Sequence, residues 1–268
     1  MRKGKKRRNL FIVVPLCLVL ACTIVLAVLY AAMGEGGMIA MFAAIDRTDM
    51  MQAKEYRAED GNMRAYRLYV PETYDDAKAI PLVLFLHGAG ERGNDNRAQT
   101  KKNSVMQTLL DEENLAKYPC IVLAPQCPED DWWDTKELRV LLLMTQVTYN
   151  IDAARIYVTG ISMGGFATWN LLAEYPDYFA AAVPVCGGGD ADTATLFKDV
   201  PIWAFHGAKD TTVRPEGSRD MVKALEDAGA KEVKYTEYPE EKHQSWEKAY
   251  REAELFPWMF AQARELGN

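Results

Sequence analysis

Short, continuously apolar runs that end in histidine or glycine recur through most of the chain. Residues 82–86 read LVLFL and are followed at once by His87 and Gly88. A run this apolar is typical of a strand that is covered on both faces. Similar runs predict further strands. The predicted strands lie at 64–70, 82–86, 120–125, 155–160, 179–186, 200–205 and 232–239.

Segments with helical spacing of apolar residues separate these strands. The predicted helices lie at 104–116, 137–149, 164–175, 219–227 and 245–264. Strands that alternate with helices in this way predict right-handed βαβ units, hence an α/β fold with a mostly parallel, twisted sheet and helices on both faces. Ligands of such sheets bind at the carboxyl ends of the strands, so the functional residues are expected there.

The amino terminus has a different pattern. Six basic residues and no acidic residue occur in positions 1–8, and positions 10–33 contain no charged side chain. About 20 apolar residues suffice to cross a bilayer as a helix. The pattern therefore predicts a cytoplasmic basic segment at 1–9, a transmembrane signal anchor at 10–33 and a stem at 34–54, followed by the α/β domain at 55–268.

The positive-inside rule places the domain at 55–268 outside the cytoplasm. The protein would then be a single-pass membrane protein. A signal peptide cleaved after the apolar run is the alternative, and it would release the domain as a secreted protein on the same side.

Charge and cysteine content narrow the possible functions. The formal net charge is −7, and the residues after position 8 carry a net charge of −13. An acidic body would be repelled by nucleic acid phosphates, so nucleic acid is not an expected partner. The body has three cysteines, of which Cys120 and Cys127 could form a disulfide or could be buried thiols. No CxxC pair or His/Cys cluster is present, so neither a metal site nor a cofactor is predicted.

Residues 160–164, GISMG, match the pattern G-x-S-x-G between a predicted strand and a predicted helix. In that context the pattern predicts a nucleophilic serine, Ser162, on a strained turn that small neighbours permit. The backbone N–H of Met163 would then face the developing oxyanion. An ordinary serine N-cap in a glycine-rich turn is the alternative.

The partners of such a serine follow from chain order, which in α/β-hydrolases is serine, acid, histidine. Of three histidines only His243 follows Ser162 in a polar loop near the end of the chain, so it is the predicted base. Asp210 is the predicted acid, with Asp190 and Asp192 as competitors. The second oxyanion donor is expected in the loop after 82–86, from the N–H of Gly88 or Ala89.

Three further side chains are candidates for substrate binding. Trp132 and Trp133 follow a predicted strand and could form a platform for an aromatic acyl group or a sugar ring, or a lid over the core. Glu91, next to Arg92, is expected either to pair with that arginine or to line the site.

The segments that carry these residues, taken in order from Tyr66 to Gln262, resemble bacterial α/β-hydrolases of the esterase and prolyl-oligopeptidase-like group. That group is similar to the family-one carbohydrate esterases, which include feruloyl and acetylxylan esterases. The resemblance implies the triad Ser162, Asp210 and His243 and a serine carboxylesterase acting on small or carbohydrate-linked esters. A serine peptidase of the prolyl-oligopeptidase type is the alternative enzyme, and an inactive surface binding protein is the alternative from another class.

Overall fold

The computed structural model describes residues 46–266, which form an eight-stranded sheet with its covering helices. The strands are β1 (Gln52–Arg57), β2 (Met63–Tyr69), β3 (Ile80–Leu86), β4 (Ile121–Pro125), β5 (Ile151–Ile161), β6 (Ala181–Val185), β7 (Ile202–Gly207) and β8 (Val233–Tyr238). The α-helices are α1 (Ala98–Lys101), α2 (Val105–Leu109), α3 (Glu112–Lys117), α4 (Thr135–Thr148), α5 (Met163–Glu174), α6 (Glu216–Asp227), α7 (Trp246–Ala249) and α8 (Leu255–Ala261). Three 3₁₀ helices occupy Arg47–Met50, Ala89–Glu91 and Ala191–Leu196.

The predicted basic segment and transmembrane anchor, and the predicted stem as far as residue 45, lie outside the described residues. Within residues 46–266 no helix has the length and apolar character needed to cross a bilayer.

The strand order is β1-β2-β4-β3-β5-β6-β7-β8. The pairs β1/β2 and β2/β4 are antiparallel, and every pair from β4/β3 to β7/β8 is parallel. The prediction of a mostly parallel α/β sheet is therefore confirmed. Because β3 and β5 are neighbours, the loops that follow them meet at one edge of the sheet, where Gly88 and Ser162 lie.

Strand β1 was not predicted, and it overlaps the last three residues of the segment predicted as a stem. Its sequence, QAKEYR, is mostly polar because the strand lies at the edge of the sheet and buries only the Tyr56 side chain. The register runs from Gln52 opposite Leu68 to Arg57 opposite Met63. A polar edge strand lacks the apolar run by which the inner strands could be predicted.

Two predicted helices are each divided in the structure. The segment predicted as one helix at 104–116 forms α2 and α3, because Asp111 has extended backbone and its carboxylate accepts the N–H of Glu113 as an N-cap. The closing segment, predicted as one helix at 245–264, forms the short helices α7 and α8.

Apolar side chains pack on both faces of the central strands. Along β3, Leu82, Leu84 and Leu86 face one apolar cluster, while Val83 and Phe85 face the other. All five side chains are fully buried. This packing fixes the carboxyl end of β3, and with it the loop that begins at His87.

The cysteines of the described region are free, buried thiols. Burial raises the pKa of Cys120 to about 12 and that of Cys127 to about 11, which disfavours the reactive thiolate. Of the two predicted alternatives for this pair, the structure shows separate thiols.

Candidate active site

Ser162 lies on a sharp turn between β5 and α5 and has a left-handed backbone conformation, with φ 54° and ψ −116°. Such a conformation is uncommon for a residue with a side chain and is often found at functional sites. The turn is held by a 2.9 Å hydrogen bond from the Ser162 N–H to the carbonyl of Val185. A Cβ atom on Gly164 would overlap the carbonyl oxygen of Leu86, so glycine is required at that position.

The Ser162 hydroxyl does not cap helix α5. Its Oγ instead lies 2.9 Å from Nε2 of His243, and Nδ1 of His243 lies 2.7 Å from Oδ2 of Asp210. Because a carboxylate can only accept here, the imidazole Nδ1–H donates to Asp210, which leaves Nε2 to accept the serine proton. The structure therefore brings the three predicted residues into one hydrogen-bonded chain, and such a chain could activate the serine oxygen as a nucleophile.

The Asp210 carboxylate is buried and oriented by its own loop. Oδ1 accepts hydrogen bonds from the backbone N–H groups of Thr212 and Val213, at 2.8 and 3.0 Å. Of the competing acids, Asp190 is used elsewhere, since its carboxylate accepts the N–H of Asp192 at the start of the 3₁₀ helix Ala191–Leu196. The structure thus favours Asp210 over both competitors.

A second histidine shares the acid, which the sequence did not indicate. Nε2 of His206 lies 3.3 Å from Oδ2 of Asp210 and 3.0 Å from the carbonyl of Val213. Burial lowers the pKa of His206, which favours the neutral imidazole. Its Nδ1 lies 2.8 Å from Oγ of Ser218, so both ring nitrogens are engaged.

The loop after β3 lies against the nucleophile. A Cβ atom on Gly88 would come within 3.4 Å of the Ser162 Cβ, so this glycine allows a close approach of the backbone. Side chains outside the loop hold two of its carbonyl groups: Lys102 Nζ donates to Gly90 O at 2.9 Å, and Gln126 Nε2 donates to Glu91 O at 3.2 Å.

His87 fixes the start of the same loop. Its Nδ1 is 2.6 Å from the Gly88 carbonyl, and its Nε2 accepts the N–H of Cys127 at 3.0 Å. Burial lowers the pKa of His87 to about 4, so the ring is neutral at physiological pH. His87 therefore connects the loop after β3 with the loop after β4.

Glu91 is buried, and its carboxylate lies 4.0 Å from Nδ1 of His87. Burial raises the pKa of this carboxyl group, while hydrogen bonding to the backbone of Gly88 opposes the rise. The expected ion pair between Glu91 and Arg92 is absent from the described part of the chain, because the carboxylate is turned toward Gly88 and His87. The backbone of Gly88 is thereby occupied, which favours Ala89 as the second oxyanion donor.

The two adjacent tryptophans have different environments. Trp133 packs on the His87 ring, with 4.7 Å between ring centroids, and its Nε1 donates to the His87 carbonyl at 3.2 Å. Trp132 is 61% exposed, and its ring approaches that of Phe166 with 6.4 Å between the ring centroids. Trp133 thus packs as a lid, whereas Trp132 is available to a ligand.

On the other side of the serine, a groove of about 470 Å³ borders His243. Its walls are polar and come from the loops after β7 and β8. The lining residues are Thr211, Thr212, Glu240, Glu241, Lys242, His243 and Gln244. In the strand order, β5, which Ser162 follows, lies between β4, which precedes the two tryptophans, and β7 and β8, which precede the groove.

Sequence reasoning missed several residues that build this site, namely Phe166, Gln126, Lys102 and His206 in its role beside the acid. Gln126 carried a signal, since it directly follows a predicted strand. Phe166 and Lys102 carried none, because a helix position and a surface lysine have no distinctive pattern.

Comparisons with known proteins agree with the α/β-hydrolase fold. The prolyl oligopeptidase family model matches residues 139–204. A bifunctional acetylxylan esterase/xylanase of Neocallimastix patriciarum is 27% identical over 180 residues, which are 65% of this chain and 25% of that protein. Feruloyl esterase B of Thermothelomyces thermophilus is 22% identical in an alignment of 237 positions that covers 70% of this chain and 77% of that enzyme.

Among solved structures, a thermostable esterase superposes with a TM-score of 0.76 at 39% identity, covering 81% of this chain and 64% of that one. The chain thus spans about a quarter of the acetylxylan esterase/xylanase and somewhat less than two thirds of the thermostable esterase.

The fold, the strained serine and its two partners define the class of protein as an α/β-hydrolase with a serine site. Within that class, the chain is similar to esterases and, over residues 139–204, to the prolyl oligopeptidase family.

Proposed function

We propose that this protein is a serine hydrolase of the carboxylesterase type, which hydrolyses carboxylic esters through an acyl-enzyme intermediate on Ser162. The observation that carries the proposal is the continuous chain from Ser162 Oγ through His243 to the buried Asp210, with 2.9 and 2.7 Å between the paired atoms. The esterases among the related proteins support the same reaction.

In the first half of the reaction, Ser162 Oγ attacks the ester carbonyl carbon while Nε2 of His243 takes the hydroxyl proton. Asp210 keeps the imidazole in the required tautomer and stabilises the imidazolium. As the tetrahedral intermediate collapses, the C–O bond to the alcohol breaks and His243 gives its proton to the leaving oxygen. A water molecule, deprotonated by Nε2 of His243, then attacks the acyl carbon. The bond from that carbon to Ser162 Oγ breaks, His243 returns the proton to Oγ, and the acid is released.

The negative charge on the former carbonyl oxygen needs donors at a fixed position. Met163 is the first residue of α5, and N–H groups of a first helical turn have no partner within their helix. Its N–H and that of Ala89, in the loop that approaches Ser162 at Gly88, are the proposed donors, and the positive end of the α5 dipole would add to the stabilisation.

We infer that the alcohol part of the substrate lies in the polar groove beside His243, because this histidine protonates the leaving oxygen. The groove suits a hydroxyl-rich alcohol such as a sugar, and carbohydrate-linked or other small esters are the proposed substrates. The acetylxylan and feruloyl esterases among the relatives support this class.

Replacement of the nucleophile tests the proposal. Ser162→Ala should abolish hydrolysis of p-nitrophenyl acetate and labelling by a fluorophosphonate probe, whereas the wild-type protein should show both. Retained hydrolysis in Ser162→Ala would overturn the proposal. Absence of labelling in the folded wild-type protein would favour the catalytically inactive binding protein.

A serine peptidase is the second candidate, since the prolyl oligopeptidase family model matches 139–204. The triad and oxyanion donors would serve amide hydrolysis equally well. An assay of prolyl and alanyl p-nitroanilides beside the esters separates the two candidates, and we expect faster turnover of the esters.

We also propose that the catalytic domain acts outside the cytoplasm, held at the membrane by the apolar segment 10–33, or secreted if that segment is cleaved. The basic residues of positions 1–8 and the uncharged run after them support the orientation. Protease accessibility of the domain in intact cells, together with its fractionation into membrane or medium, tests both versions.

A further inference from the structure

Arg92 is a half-buried arginine without an ionic partner in the part of the chain that the structure describes. Its Nε is buried and has no hydrogen-bond partner. The guanidinium bonds to the Cys127 thiol, and sulfur is a weak acceptor. An arginine is charged at any ordinary pH, and leaving a buried donor unpaired is unfavourable.

The position of Arg92 brings this guanidinium to the edge of the catalytic site. Arg92 ends the 3₁₀ helix Ala89–Glu91, which begins directly after Gly88 beside the nucleophile. The guanidinium lies over the ring of Trp132, with 5.6 Å from Cζ to the ring centroid. Trp132 in turn approaches Phe166, the fourth residue of α5. We call Arg92, Trp132 and Phe166 the acyl-side rim.

The strand order decides which part of a substrate faces this rim. Arg92 and Trp132 come from the loops after β3 and β4, whereas Asp210 and His243 come from the loops after β7 and β8. Ser162, after β5, lies between the two pairs. Because the leaving alcohol must be near His243, the acyl group extends toward β3 and β4, and so toward Arg92.

The chemistry of the rim indicates what this acyl group carries. The exposed face of Trp132 can cover an apolar chain or ring, and the guanidinium beyond it offers paired N–H donors that match the geometry of a carboxylate. The aromatic face below the guanidinium also orients it without neutralising its charge.

We propose that Arg92 is a specificity-determining residue that binds a carboxylate at the far end of the substrate's acyl group. The inference rests on the proposed ester hydrolysis and adds the acyl class to it: the preferred substrates are half-esters of dicarboxylic acids or esters of carboxylate-bearing aromatic acids.

Matched pairs of substrates test this directly. The p-nitrophenyl half-esters of glutarate, adipate and pimelate are each compared with the uncharged straight-chain ester of the same length, so that the reach of the acyl chain is varied. The wild-type protein should have a higher kcat/KM for the charged member of at least one pair. In Arg92→Met the ratio of charged to uncharged kcat/KM should fall about 10- to 100-fold, as expected for the loss of charged hydrogen bonds.

Arg139 provides the control. It is also partly buried, has a buried Nη1 without a partner, and stacks on an aromatic ring, with 3.9 Å from Cζ to the Tyr178 centroid. Arg139 lies on α4 and contacts Tyr175 and Tyr178, which follow the carboxyl end of α5. At 1.5 Å per residue, that end of α5 is about 18 Å from the end that begins after Ser162. Arg139→Met should leave the substrate ratio unchanged.

The outcomes separate this inference from the proposed function. If the wild-type protein hydrolyses the uncharged esters but prefers no charged partner, or if Arg92→Met lowers both members of a pair equally, the inference is overturned and the esterase stands. If no ester is hydrolysed, the proposed function itself fails. Arg92→Lys retains the charge without the paired donors, so an intermediate ratio in that variant, with an unchanged melting temperature, excludes misfolding as the cause.

Discussion

The side-chain amide of Gln126, at the end of β4, donates a hydrogen bond to the backbone carbonyl of Glu91, with 3.2 Å between Nε2 and the oxygen. The same amide nitrogen is 2.8 Å from Oδ1 of Asp95, and Oε1 accepts the N–H of Asn96 at 2.8 Å. One buried glutamine thereby holds three positions of the loop that carries the proposed oxyanion donor. Its role is to position the loop, since it does not contact the reacting atoms.

Gln126→Leu should lower kcat for p-nitrophenyl acetate about tenfold or more with little change in KM, because a small displacement of an oxyanion donor weakens binding of the transition state more than that of the substrate. The split between kcat and KM is measured by steady-state kinetics. Gln99→Leu is the control, since Gln99 is equally buried but bonds to the Asn96 side chain and not to a loop carbonyl. Equal loss of kcat in the two variants would mean that Gln126 acts through general stability.

Asp210→Asn should reduce kcat about 10³- to 10⁴-fold, because an amide at this position favours the wrong tautomer of His243, as in other serine triads. Asp190→Asn is the matched control: Asp190 follows β6 and caps a 3₁₀ helix, a role that asparagine can also fill. Its kcat should remain near that of the wild type. If instead Asp190→Asn abolished turnover and Asp210→Asn did not, the assignment of the acid would be reversed.

The inner sheet, and the three candidate residues that the structure brings into one hydrogen-bonded chain, could be predicted because both leave local signals. Strands covered on both faces are continuously apolar, as in 82–86, and the strained serine turn requires glycines at 160 and 164. His243 and Asp210 could be predicted because chain order and the small number of histidines left few candidates.

Other features depend on contacts between residues distant in the chain. Strand β1 forms because it pairs with β2, although its own sequence is mostly polar. The division of labour between Trp132 and Trp133 depends on which ring meets His87, and two adjacent tryptophans look alike in a sequence. The turn of Glu91 away from Arg92 follows from the fold of the loop after β3, which no spacing rule specifies.

Gly164→Ala should destabilise the protein by about 3 kcal/mol or more, since the new methyl group would overlap the Leu86 carbonyl oxygen and backbone cannot move as a flexible side chain would. Gly90→Ala offers the contrast, because a Cβ there has no atom within 4 Å. Its free energy of unfolding should change by no more than about 0.5 kcal/mol. Urea unfolding of both variants measures the difference, and equal stabilities would contradict the close approach of α5 to β3.

The stability of the protein should fall as the pH is lowered from about 6.5 toward 4, because burial lowers the pKa of His87 from 6.5 to about 4. The unfolded chain then takes up a proton before the folded one does, so the contribution of neutral His87, on the order of 3 kcal/mol, is complete above pH ~6.5 and is lost progressively below it. His206 acts in the same direction, since burial lowers its pKa as well.

Glu91 acts in the opposite direction at pH values above the ordinary pKa of a glutamate, because burial raises the pKa of the Glu91 carboxyl group. Urea unfolding at a series of pH values should therefore show a shallower decline in His87→Gln and a steeper decline in Glu91→Gln than in the wild type. A decline that is the same in His87→Gln as in the wild type would mean that protonation of His87 does not contribute to the acid sensitivity of the protein.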